Sequence, residues 1–405
     1  MSDKMIKTDY LIIFFSFVLC VFHTFTFFQA YYSFIVTLAT FLVILLLHLY
    51  KSGWRIKISS KIGRRLLFLY TGIFLVVFIG VALKGNPIIS ALGAYLPLAM
   101  WPTLYVIVAP ILKGKLKKRY VLAFFCFFAV SVIATLSVVI VDNGAARELA
   151  GAASDEVRNE YYKAGVGGYG FVYGSVFLVY TLLLYGHRQH NRTMKVLLLL
   201  LTILTCVMIV FASYTTALLL MLIVLLLSLY ARTNSRKATV IFAFLIAAIV
   251  LLINPILNGI YEIAQNMDLY WISKRIGQLI NAETSGNVEG LTRVQLYMRS
   301  MNSFLENPIF GAGEVGGHSM FFDTLGNYGL FGLILLVSIC TWLGVMMKET
   351  KKREGLAYIL VIALLVVNTI DQIVFIPLML FVVPLIMQHK ETNDENRNHN
   401  ALLQK

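Results

Sequence analysis

The sequence predicts an all-α, polytopic integral membrane protein of about twelve transmembrane helices, with a large extracytoplasmic loop before the tenth. Three observations carry that expectation. Of the 405 residues, 59% are hydrophobic and 13% charged, at a mean hydropathy of +0.80, whereas soluble domains carry about a quarter charged residues. The apolar residues run in blocks of about 20, the length that crosses a bilayer as a helix, and not in the alternating pattern of a membrane β-barrel. Basic residues gather between the blocks.

In chain order the expected spans are Tyr10–Phe28, Tyr31–Tyr50, Leu66–Leu83, Ala91–Leu112, Val121–Val141, Tyr169–Tyr185, Val196–Ser213, Thr215–Tyr230, Thr239–Leu257, Phe321–Met347, Leu356–Asn368 and Ile373–Met387. Basic clusters at Lys51–Arg65, Lys113–Arg119, Arg188–Lys195, Arg232–Lys237 and Lys348–Arg353 each separate two spans. With the N-terminus inside, 26 of the 34 lysines and arginines fall on the inner side, as the positive-inside rule requires, and both termini are expected in the cytoplasm. The net charge of +14 therefore belongs to loops, and nucleic acid is excluded as a partner. Residues 1–388 read as a single transmembrane domain, and 389–405 as a polar, disordered cytoplasmic tail. The first span has no small-residue cleavage site after it and reads as a retained helix. Cys20, Cys126, Cys206 and Cys340 all fall within spans and predict no disulfide or zinc site.

Two outward segments, Asp142–Gly168 and the 63-residue Asn258–Met320, exceed the usual connection of about 4–6 residues. In the second, apolar residues at Ile260, Ile263, Met267, Trp271, Ile272, Ile276 and Leu279 predict one helix over 260–280 lying in the membrane interface. A further helix is expected over Thr292–Leu305, capped by Thr292 and ended by Asn307-Pro308. Val294, Tyr297, Met298, Met301, Phe304 and Leu305 share its apolar face. Arg293 lies on the margin of that face and is placed to turn inward; Arg299, on the polar side with Gln295 and Glu306, reads as a solvated charge. Next comes a loop with Gly311, Gly313, Gly316 and Gly317, whose φ freedom lets backbone approach a ligand closely. It ends at His318, a side chain able to take a proton near neutral pH.

These residues resemble a known signature. LTRVQLY (Leu291–Tyr297), then ENPIFGAG (Glu306–Gly313), then His318-Ser319 followed by nine residues, Gly329, two residues and Gly332, is similar to the pattern of the O-antigen polymerase and O-antigen ligase superfamily. The arrangement of many spans, a late outer loop and cytoplasmic termini matches that superfamily too. The resemblance implies an inverting, metal-independent glycosyltransferase, without cofactor, in a bacterial cytoplasmic membrane. Its donor would be a glycan on a polyprenyl diphosphate, usually undecaprenyl diphosphate, and its acceptor a sugar hydroxyl on the outer face. Membrane lipid, a chain-length regulator and a flippase are the implied partners. By position, His318 would help deprotonate the acceptor and Arg293 would engage the diphosphate. Glu306, Asn307, Gly311, Gly313 and Ser319 become candidate substrate contacts. The chemistry fits: a guanidinium meets phosphate oxygens bidentately, and a sugar hydroxyl is a poor nucleophile until a base takes its proton.

One departure concerns the outer turn before the large loop, where the superfamily often carries an arginine. Here Tyr214 and Thr215 stand in FASYTTALLL as candidate substrate contacts, so either their hydroxyls or another cation would supply the second contact to the diphosphate. Of the outward cations Arg147, Arg158, Lys163 and Arg275, the long-segment residues Arg275 and Arg158 rank first as replacements. Gly170 and Gly174 form a GxxxG pair expected to allow close helix packing, with Tyr169 and Tyr173 as interfacial anchors or sugar platforms. No Asp-x-Asp pair appears outside to hold a divalent metal. Asp323 and Asp371 are expected to face the bundle interior, Asp323 too far round its helix to partner His318. A polymerase joining lipid-linked repeat units is the leading reading, and a ligase moving finished glycan to an acceptor differs from it only in that acceptor. A lipid-linked sugar flippase would need charged residues near the membrane midplane, and the spans carry almost none.

Overall fold

The computed structural model describes residues 3–29, 31, 33–54, 60–142, 145–151, 155–232, 240, 244, 253–266, 270, 273–274, 276–277, 280, 289–317, 319–347, 350, 352–368 and 375–388. Regular structure among them is entirely helical. In order the helices are α1 (Asp3–Thr24), α2 (Thr26–Gln29), α3 (Phe34–Lys51), α4 (Ser60–Ala82), α5 (Ile88–Val108), α6 (Gly114–Val141), α7 (Ala145–Gly151) and α8 (Asp155–Lys163). There follow α9 (Tyr169–Arg188), α10 (Arg192–Phe211), α11 (Thr215–Arg232), α12 (Ile253–Asn266), α13 (Glu289–Glu306), α14 (Met320–Met346) and α15 (Lys352–Asn368). The last segment is α16 (Phe375–Pro377), a π-helical turn (Leu378–Val382) and α17 (Val383–Met387).

Eight of the described helices are long and apolar enough to cross a membrane: α1, α3, α4, α5, α6, α9, α10 and α14. They coincide with the first seven expected spans and the tenth, and mark the chain as a helical membrane protein. The eighth and twelfth expected spans are the shorter apolar helices Thr216–Arg232 and Leu378–Met387, and the eleventh is α15. The ninth lies largely outside the described residues, as do Asp371 and the tail 389–405.

The bundle is built around α9, which packs against α10, α11, α15 and α17. Its residues Gly170 to Leu182 are buried all round, including both glycines of the small-residue pair, Gly170 and Gly174. Backbone carbonyls that lose their helical partner in such an apolar setting need another donor. Pro384, five residues after Met379, has no N–H to give to the π-helical turn, and the Tyr358 hydroxyl donates to the Met379 carbonyl instead (2.7 Å). The buried Gly165–Gly167 loop is held likewise: the Thr26 hydroxyl donates to the Gly165 carbonyl (2.8 Å) and Gly167 N–H donates to Thr135 Oγ1 (2.9 Å).

Helix directions alternate so that the interactions separate into two ends. At one, Arg188 at the close of α9 pairs with the buried Glu354 at the start of α15 and donates to the Met387 carbonyl (3.0 Å). Lys117 there donates to the Gln388 carbonyl (3.1 Å), and Lys51 pairs with Asp9. This is the end that carries the basic clusters. The opposite end gathers Lys84, α7, α8, the tyrosines that open α9, and the α13–α14 hairpin. Removing one partner of a buried pair leaves a charge uncompensated at a cost of about 3–5 kcal/mol. Glu354→Ala is therefore expected to lower thermal stability in detergent by that order, with Arg188→Ala/Glu354→Ala less destabilised than the two single changes added together.

Candidate functional site

The expected single helix over 260–280 is not what forms. The helix α12 ends at Asn266, and Ile276 returns to bury itself against Ala264, with Tyr261 alongside. A Cβ on Gly277 would stand 3.0 Å from the Tyr261 ring. In one continuous helix, residues 261 and 277 would be roughly 24 Å apart, so the two do not belong to a single straight helix. Periodicity reads the shared apolar face of the two pieces as one stripe because it carries no information about a break.

The helix expected over Thr292–Leu305 is α13, and it packs on the first half of α14 with a different face from the one its pattern predicts. Ser300 and Ser303 are fully buried, whereas Val294, Met298, Met301 and Leu305 of the apolar stripe remain 37–61% exposed. The serines face α14 because that helix offers glycines: a Cβ on Gly326 would fall 2.6 Å from the Ser300 carbonyl. Ser303 Oγ donates to the Gly326 carbonyl (3.0 Å). The apolar stripe is left to the surroundings, as befits a helix bordering lipid.

Between α13 and α14 the glycine-rich segment 307–317 is a strap, bound amide by amide. Gly311 N–H donates to the Asn307 carbonyl (2.7 Å), Ala312 N–H to the Ser303 carbonyl (3.0 Å) and Gly313 N–H to the Gly326 carbonyl (3.1 Å). Glu314 N–H donates to Ser303 Oγ (3.1 Å) and Gly316 N–H to Ser300 Oγ (2.9 Å). Gly316 has no room for a side chain, since its Cβ would lie 2.4 Å from the Leu296 carbonyl, and Gly311 combines φ 71° with a 2.4 Å approach to the Gly326 carbonyl. The glycines thus serve contact with α13 and α14. The amides expected to approach a ligand are taken, so an anion here must be met by side chains.

Asp323, in the first turn of α14, closes the strap. Its Oδ1 accepts from Ser300 Oγ (2.6 Å) and Gly317 N–H (3.2 Å), and its Oδ2 from Ser319 N–H (3.0 Å). The carboxylate is half-buried, faces α13 and the strap rather than the bundle interior, and grips the backbone on both sides of position 318. His318 itself lies outside the described residues, as does Arg275. Arg293 belongs to α13, and its side chain also lies outside the description. Gly316, two residues before 318, rests on Leu296, three residues after 293, so the two segments meet within one hairpin.

One turn after position 293, Tyr297 stacks on Phe322 (centroids 5.2 Å, 25° between planes) and donates to Asn368 Oδ1 at the end of α15 (3.5 Å). From the other side Tyr169 donates to the Asn368 carbonyl (3.2 Å), and its ring lies tilted 35° against Tyr173 at 4.4 Å and edge-on to Tyr214 at 5.7 Å. Tyr214 is buried and its hydroxyl donates to the Ala146 carbonyl (2.6 Å). Thr215 opens α11, with its side chain outside the description. Ser319 is buried and caps α14 by accepting from Phe322 N–H (3.3 Å). Asn307 is exposed and accepts from Phe310 N–H (3.2 Å). Arg158 is half-buried on α8, on the flank formed with α2 and α7. Glu306 lines an open groove of about 290 Å³ on the outer face of α13 with Gln295, Asn302 and Arg299. Arg299 there faces Glu314 at 3.7 Å, both exposed, which agrees with a solvated charge.

A cation not weighed in the sequence reading enters here. Lys84, just past α4, donates from Nζ to the Gly311 carbonyl (3.0 Å) and lies over the Tyr328 ring (5.9 Å). Among the described residues no carboxylate pairs with it, and burial lowers its pKa from the usual lysine value. It still has two N–H donors to offer at the mouth of the strap. Its place in an outer turn, between Leu83 and Asn86-Pro87, was the signal available in the sequence.

No family model matches this chain, and no curated protein matches it. Asp323→Ala would leave the Ser300 hydroxyl and two amides without their acceptor, and hydrogen bonds to a charged group are worth about 1.5–3 kcal/mol each. The expected result is a lower melting temperature and faster proteolytic cleavage within 311–319, the spans themselves remaining protected.

Proposed function

We propose that this protein is a membrane glycosyltransferase that polymerises glycan repeat units carried on a polyprenyl diphosphate, working at the loop-bearing end of the bundle. The observation that carries the reading is the closed hairpin: the ordered motif Leu291–Tyr297, Glu306–Gly313, His318-Ser319 corresponds to α13, the strap and the cap of α14, with Asp323 fixing the chain on both sides of His318. The charge bias of the loops supports an outward-facing site and cytoplasmic termini in a bacterial cytoplasmic membrane.

In this reading the acceptor hydroxyl oxygen attacks the anomeric carbon of the donor sugar while His318 takes its proton. The bond from that carbon to the diphosphate oxygen breaks, and the lipid diphosphate leaves with the electron pair. Inversion follows from attack on the face opposite the leaving group. Because the glycine amides of the strap are occupied, the growing negative charge is to be met by side chains, Arg293 on α13 and Lys84 from the end of the neighbouring α4. Lys84 joins Arg275 and Arg158 as a candidate second cation: it touches the strap, whereas Arg158 sits on the α2–α8 flank. The rings of Tyr297 and Tyr169 flank Asn368 and offer faces for sugar.

The test is reconstitution of purified protein with carrier-linked repeat units. His318→Ala and Arg293→Ala are expected to abolish chain growth at unchanged membrane abundance, and Lys84→Ala to reduce it by about tenfold or more, in line with loss of a charge-assisted contact to phosphate. Arg299→Ala should be mild. Normal polymer length in the His318 or Arg293 variant would remove the proposal. In cells lacking the protein, single repeat units on the final acceptor support a polymerase, and long carrier-linked chains would indicate a ligase.

A further inference from the structure

At the basic end, both α10 and α11 pack against α9 but diverge from each other, leaving a cleft of about 140 Å³ floored by α9. Its mouth carries three basic side chains, His187, Lys195 and Arg232, and no carboxylate lines it. Arg232 spends one terminal N–H on the Leu183 carbonyl (2.8 Å), while its Nε is buried without an acceptor among the described residues. A buried guanidinium nitrogen left without an acceptor is costly unless something supplies one.

The inner wall is largely apolar: Leu182 and Leu199 line it with Thr202, whose hydroxyl is spent on the Leu198 carbonyl (2.8 Å) and which lies ten residues into α10, roughly 15 Å from the helix start. Leu199 is also exposed on the outer side of α10, continuous with Val196, Leu200 and Ile203. The cleft therefore opens sideways onto the surface that meets lipid tails, while its cations sit at the depth of headgroups. Two of the basic clusters, Arg188–Lys195 and Arg232–Lys237, flank it in sequence.

We propose that this cleft binds the phosphate headgroup of an anionic phospholipid, with an acyl chain running along Leu199 and Ile203. Lys195 and the terminal guanidinium nitrogens of Arg232 hold the phosphate oxygens, and the largely aliphatic wall selects a lipid over a soluble phosphoester. The inference is independent of the glycosyltransferase reading, since it uses the opposite end of the bundle.

The experiment measures binding of dioctanoyl phosphatidylglycerol, dioctanoyl phosphatidylcholine and glycerol phosphate to the full-length purified protein in nonionic detergent. Phosphatidylglycerol is expected to bind and the other two to bind at least tenfold more weakly. Each basic residue near an anionic headgroup contributes about a factor of five, so a double Lys195→Gln/Arg232→Gln change should weaken binding roughly thirtyfold. Lys195→Gln alone, at an exposed position that leaves the fold untouched, should give a several-fold loss. Equal binding of phosphatidylcholine, or unchanged affinity in Lys195→Gln, would overturn the proposal; so would glycerol phosphate binding as tightly as the lipid.

Discussion

A length of non-helical chain can pack closely against helices only if the amides it buries there find acceptors, because water no longer reaches them. Here two serine hydroxyls, one aspartate and a few helix carbonyls do so, and the rest of the loop-bearing end follows from that requirement. Ser300 and Ser303 must face inward, so α13 turns its small polar side to α14 and its methionines and leucine away. Gly326 must lack a side chain so that the helices can approach closely enough for those hydroxyls to reach. Asp323 must sit in the first turn of α14, where its two oxygens gather three donors and its charge also suits the helix N-terminus.

The same satisfaction of amides decides what kind of ligand site this end can be. Glycine-rich loops that hold phosphates present free N–H groups, whereas Gly311, Gly313, Gly316 and Gly317 here all donate within the hairpin. In the proposed glycosyltransferase, recognition of the diphosphate would pass to side-chain cations drawn from distant parts of the chain, Lys84 from the end of α4 among them.

How much of this was legible in the sequence depends on the range over which each feature is determined. The spans were legible because a length of about 20 apolar residues and flanking charge are local properties. The order of α13, strap and α14 was legible for the same reason, since Thr292 through Gly332 are nearly contiguous. The buried side of α13 was not, because hydrophobic pattern assigns burial to Met298 and Leu305, whereas a neighbour bearing glycines rewards Ser300 and Ser303. The break that sets Ile276 on Ala264 was hidden by a pattern that is the same for one helix as for two. Lys84 was passed over because its contact with Gly311 spans 227 positions of chain, which no motif records.

The interruption in α14 links these elements in one further way. Gly329 has φ 56° and ψ −135°, and the following amide, on Leu330, abandons its own helix to donate to the Pro308 carbonyl (2.8 Å). A Cβ at Gly329 would lie 2.4 Å from that same carbonyl. The bend in the rod and the anchoring of the connector are thus a single covalently measured circuit, closed at Pro308 and Leu330. Its circumference cannot vary: one residue more or fewer anywhere along it would put each hydroxyl opposite the wrong amide. Sequence drift along this circuit is then confined to exchanging side chains, while insertions and deletions are driven to the connectors of the opposite end.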